Sequence, residues 1–92
     1  LLDKIIEYIL GLPDECFKNN AEQRKNALVN KLEEVRQMMI DGDYQGAIDK
    51  LTNDIRPKMD GEGKNDWIIC KNAQQDLTRM IDQLIEYLES LL

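Results

Sequence analysis

The sequence predicts an all-α fold, an antiparallel bundle of four to five helices forming one domain over residues 1–92. Three observations predict it. Apolar residues recur at spacings of three and four in separate stretches, the period of a helix face turned towards a core. Gly11, Gly42 and Pro57 punctuate those stretches. The composition, 42% apolar and 33% charged, is that of a globular helical domain and too apolar for a disordered chain.

The first helix runs from about Leu2 to Leu10. Leu2, Ile5, Ile6, Ile9 and Leu10 form its apolar stripe, and Gly11 is read as a left-handed stop. Leu12-Pro13-Asp14 opens a short turn or helix carrying Cys16 and Phe17, with Pro13 near its first position. Asn20-Ala21-Glu22-Gln23 has the form of a capping box, so a long helix is expected to start at Asn20. At 100° per residue Leu28, Leu32, Val35 and Met39 lie within about 60° of one another and face the core.

Gly42 ends that helix and Asp43 begins the next. Tyr44, Ala47, Ile48, Leu51 and Ile55 are its core positions, and Pro57 is expected to end it. Pro57 through Asp66 form the one irregular loop. Trp67 is read as the residue pinning that loop to the core, with Ile68 pointing the same way. Asn72-Ala73-Gln74-Gln75 repeats the capping form and opens the last helix, whose stripe is Leu77, Met80, Ile81, Leu84, Leu88 and Leu91. Leu2 to Ile9 resembles Ile81 to Leu88 in composition. Two amphipathic helices doing the same job account for this, and the two are expected to pack against each other.

Charge and residue inventory exclude several functions. Eighteen acids against twelve bases give a net charge of −6. Such a surface repels nucleic-acid phosphate and anionic lipid, so neither nucleic acid nor membrane is an expected partner. No apolar run approaches the roughly 20 residues of a membrane span. The chain begins with Leu1-Leu2 and shows no signal-peptide pattern, so it is expected to be a piece of a longer protein. Histidine is absent, which removes the usual general base and metal ligand. The only serine is Ser90. Gly61-Glu62-Gly63-Lys64 lacks the remaining spacing of a nucleotide loop. The expectation is a protein that is not an enzyme, with no cofactor and no small-molecule substrate.

Cys16 and Cys70 leave three readings open. They form a disulfide, closing a loop of about 54 residues and adding roughly 4 kcal/mol in the chain-entropy model. Cys70 is a reactive thiol at the positive end of a helix. Or both are plain structural thiols. Most carboxylates, among them Glu22, Glu33, Glu34, Asp49, Asp76, Glu86 and Glu89, sit opposite the stripes as a solvated face. Asp60, Glu62 and Asp66 would have to gather any calcium ion, but the loop lacks the twelve-residue helix-loop-helix spacing and Lys64 sits in its middle.

The residues that point to interaction are apolar and off the stripes. Val29 and Ile40 lie about 100° and 120° from Leu28 on their helix, with Arg36 beside them. Ile69 and Cys70 extend the apolar run beyond what one anchor needs. If the two groups meet they make an exposed apolar patch holding a basic residue, the mark of an interface with a protein partner or a second copy. Val29, Arg36, Met39, Ile40, Ile69, Cys70, Lys71 and Arg79 are the candidate interface.

Three segments resemble a known family: Phe17 to Leu32, Gly42-Asp43-Tyr44-Gln45-Gly46-Ala47-Ile48-Asp49-Lys50-Leu51, and Asp66-Trp67-Ile68. Together they resemble the FIMAH-type helical domain, a module appended to secreted and cell-surface proteins of archaea and bacteria. The resemblance covers nearly the whole chain. It implies an extracellular accessory or protein-interaction role and offers no catalytic residue. Leu28, Tyr44, Ile48, Leu51 and Trp67 read as core within it. Cys16, Arg36, Ile40 and Ile69-Cys70-Lys71 depart from the family pattern. Those departures raise an alternative, a scaffold engineered to carry a binding or self-assembly surface.

Overall fold

A computed structural model describes every residue from Leu1 to Leu92. The fold is all-α. Its helices are α1 (Leu2–Leu10), α2 (Ala21–Ile40), α3 (Tyr44–Lys50) and α4 (Lys71–Ser90). A short 3-10 turn, Asp14–Cys16, lies between α1 and α2. After α3 the chain continues through a π-helical turn, Leu51–Ile55, and a second 3-10 turn, Arg56–Lys58. One cluster of 18 buried apolar residues draws on every helix, and no polar or charged residue is buried.

The stripes explain the packing. Leu28, Leu32 and Val35 of α2, Ala47 and Ile48 of α3, and Ala73, Leu77, Ile81, Leu84 and Leu88 of α4 are buried in that cluster. Met39, Met80 and Tyr44 pack against it while half-buried. Two stripe ends differ from expectation. Leu10 is 52% exposed and Leu91 is 42% exposed. Leu10 falls at the edge of the stripe, about 80° from Leu2 on the helical wheel. Leu91 lies past the last turn of α4.

α1 and α2 run antiparallel. Asp3 at the start of α1 pairs with Arg36 near the end of α2, and Asp14 beyond α1 pairs with Lys25 near the start of α2. α3 and its π extension run back along α2, with Lys50 on Glu34 at 2.8 Å and Asp54 on Lys31 at 2.8 Å. The end of α1 meets the start of α4, where the Tyr8 hydroxyl donates to Asp76 at 2.7 Å. Partial burial and that anionic acceptor push the Tyr8 hydroxyl up to about 12.

The punctuation corrects several expectations. Gly42 does end α2 in a left-handed conformation, with φ at 78°. Gly11 does not, having φ −84° and ψ −5°. The next turn is taken by Pro13, whose extended backbone leads the chain away without a left-handed residue. The Asn20 box does not form. Asn20 itself is left-handed, with φ at 47°, and its side chain caps nothing. The Asn72 box does not form either, because α4 already starts at Lys71 and places Asn72 inside its first turn. Gln74 reaches back instead, donating to the Ile68 carbonyl at 2.8 Å.

Pro57 does not stop the helical path at once. Its missing N–H falls in the first turn of a 3-10 segment, where no donor is needed. The wider π turn before it keeps Leu51, Ile55 and Met59, each four residues apart, fully buried.

Candidate interaction surfaces

Cys16 and Cys70 are joined in a disulfide, with their Cα atoms 4.8 Å apart and no free cysteine remaining. Of the three readings of these residues, the two that need free thiols therefore do not describe this structure. The bond is part of a larger clasp. Phe17 and Ile68 form an antiparallel bridge. Around it the Lys18 N–H donates to the Trp67 carbonyl at 2.9 Å, and the Ile69 N–H to the Cys16 carbonyl at 2.7 Å. Phe17 and Ile68 are both buried in the core. The clasp thus ties the link between α1 and α2 to the segment leading into α4.

The candidate interface is split by the length of the molecule. Arg36, Met39 and Ile40 lie at the end of α2 and, with Leu1, Leu2 and Asp3, line a groove of about 400 Å3. Ile40 is 70% exposed there. Arg36 is held by Asp3 and Glu33, which raise its pKa, and it in turn lowers that of Asp3. Ile69, Cys70 and Lys71 lie at the clasp instead, near the start of α2 and the end of α1. Arg79 pairs with Asp76 at 3.3 Å on α4. Val29 is half-buried on α2. The Ile40 group and the Ile69 group do not meet, because α2 runs about 30 Å between its ends.

Trp67 is not the buried anchor that the sequence suggests. It packs against the core while half-buried, and two cations lie over its ring, Arg24 at 4.9 Å and Lys58 at 5.3 Å. Ile68 and Met59, both fully buried, anchor the loop. The loop carboxylates serve the loop itself. Asp60 accepts from the Glu62 N–H at 3.0 Å, and Asp66 from the Gly61 N–H at 3.2 Å. Asp60 also faces Arg56 at 3.6 Å, and no three carboxylates converge to hold a cation.

The densest polar constellation is one that sequence reading missed. Asp54 accepts from Lys58 at 2.6 Å, Lys31 at 2.8 Å and Lys50 at 3.2 Å. Those three ammonium groups hold its carboxyl well below the usual carboxylate range. The spacing of Lys50, Asp54 and Lys58, four residues apart, was the available signal. Lys31 joins them only through the packing of α2 on α3. Arg56 similarly grips Asp82 of α4 at 3.0 Å, and its pKa is raised by that carboxylate. These are ties between elements. None of these groups lines either depression of the surface.

No family model, no curated protein and no solved structure matches this chain.

Proposed function

We propose that this chain is a non-enzymatic helical module of a larger secreted or cell-surface protein, contributing structure or protein interaction there. The observation that carries the reading is the Cys16–Cys70 disulfide. Disulfides persist in oxidising surroundings and are rare where glutathione and thioredoxin keep thiols reduced. The bond anchors the stretch from Met59 to Cys70, in which only Met59 and Ile68 are fully buried. The resemblance to the FIMAH-type domain points to the same compartment and to an accessory role. The ion pairs add to this reading, since the perturbed carboxylates and bases are spent on holding helices together.

The test is the thiol state in the cells that make the protein. Acid-quenched alkylation without reductant, followed by intact mass, is expected to add no alkyl group. Two added groups on the bulk of the protein would place it in a reducing compartment and overturn the reading.

A further inference from the structure

Seven of the twelve bases are paired with carboxylates; Lys4, Lys18, Arg24, Lys64 and Lys71 are not. Three of those five, Lys18, Arg24 and Lys64, line a single depression of about 130 Å3 with Asn65, Asp66 and Trp67. They come from three separate places in the chain: the clasp, the first turn of α2, and the loop before Trp67. The fold brings them together on a protein whose net charge is −6.

Arg24 is positioned rather than free. Its Nε donates to Asn19 Oδ1 at 3.0 Å, and its guanidinium lies 4.9 Å over the Trp67 ring. Its terminal nitrogens donate to no protein atom. Lys18 and Lys64 are exposed and make no side-chain bond of their own. Asp66 is the one carboxylate of the lining, and one of its oxygens is taken by the Gly61 N–H. A planar guanidinium with open donors, flanked by two exposed ammonium groups, matches a carboxylate.

The dimensions narrow the ligand. At about 30 Å3 per water the depression holds roughly four waters, enough for a carboxylate and its adjoining methylenes. A nucleobase would need an aromatic face to stack on, and Trp67 is the only aromatic residue of the lining. A sugar ring would find the Trp67 face already taken by Arg24 and Lys58. One exposed ion pair binds weakly, so a useful ligand must bring several carboxylates at once. We propose that this depression binds an acidic polypeptide segment, with one carboxylate on Arg24 and its neighbours within reach of Lys18 and Lys64. The assignment deepens the protein-interaction role proposed above and rests on it; thiol state and peptide binding are measured separately, so either can fail alone.

The experiment is an amide-shift titration of the whole chain with a hexaglutamate peptide. Saturable shifts are expected at Lys18, Arg24 and Lys64 to Trp67. Lys18→Gln with Lys64→Gln alters only exposed side chains and should weaken binding about tenfold, the worth of two exposed pairs. Lys4→Gln with Arg36→Gln removes the same charge at the opposite end of α2 and should change it less than about twofold. Raising salt from about 50 mM to about 200 mM should weaken it several-fold. Equal losses in the two variants would reduce the effect to diffuse charge and overturn the site. So would the absence of saturable shifts. An oligogalacturonate of equal charge binding as tightly would overturn the polypeptide assignment in favour of an acidic sugar.

Discussion

The α2–α3 face and the stretch from Met59 to Cys70 hold their shapes by different means. On the α2–α3 face, α2, α3 and the π turn after it bury a residue at every turn: Leu28, Leu32 and Val35 against Ala47, Ile48, Leu51 and Ile55. Backbone hydrogen bonds are satisfied within the helices, and the Asp54 hub only adds to a packed interface. From Met59 to Cys70 there are twelve residues and two fully buried side chains, Met59 and Ile68. That burial does not offset the conformational entropy of ordering such a segment, which is roughly 1 kcal/mol or more per residue. The disulfide and the Phe17–Ile68 bridge supply what packing does not. Covalent and local devices appear where periodicity runs out.

The largest effect should follow from opening the clasp. Cys16→Ala with Cys70→Ala is expected to cost about 4 kcal/mol, because the unfolded chain regains the freedom of a loop whose ends are 54 residues apart. Denaturant unfolding measures the total. Hydrogen exchange sharpens the comparison. The Lys18 and Ile69 amides, which donate across the clasp, should lose protection locally. The amides of α2 should lose it only through global unfolding. Uniform loss in both regions would show that the two are one cooperative unit and that the contrast does not hold.

Breaking the other region takes a smaller change. Asp54→Asn leaves Lys31, Lys50 and Lys58 gathered without their anion and should cost about 1–2 kcal/mol, allowing for partial solvent screening. The sign with pH is fixed by the direction of the shift. The folded-state pKa of Asp54 lies below its ordinary 3.8, so its contribution is complete above that value. It fades as pH falls through the lowered folded-state value. The stability gap between wild type and variant should therefore be flat near neutrality and shrink only in acid below 3.8. A gap that already closes between neutral pH and 5 would mean the hub does not depend on this carboxylate.

Sequence legibility follows the same division. The stripes of α2, α3 and α4 were readable because a buried face repeats every three or four residues whatever its neighbours do. Gly42 was readable because its turn needs a left-handed residue. Helix starts were less so. Asn20 and Asn72 both carry the right pattern, yet a cap also needs the backbone to turn at that residue, and the clasp sets the turn instead. Pro57 marks a stop in the sequence, whereas the helical path runs through it with Leu51, Ile55 and Met59 all buried. The surfaces were least legible. Ile40 and Ile69 are both exposed, at 70% and 51%, but the fold places them apart. Lys18, Arg24 and Lys64 look like three scattered bases until the clasp brings the loop to the start of α2.

The smallest device on the α2–α3 face gives the finest test of how local it is. Asp43 caps α3 by accepting from the Gly46 N–H at 3.0 Å. A Cβ added to Gly46 would overlap the Asp43 carboxylate, so cap and glycine are coupled. Alanine at this position should gain about 1 kcal/mol of helix propensity and lose about the same by displacing the cap. Gly46→Ala alone is therefore expected to change stability by less than about 0.5 kcal/mol. In an Asp43→Ala background the cap is already gone, and Gly46→Ala should stabilise by about 1 kcal/mol. The difference between the two measurements is the coupling. Equal stabilisation in both backgrounds would mean that the carboxylate moves aside at no cost, and that α3 is held by its buried residues alone.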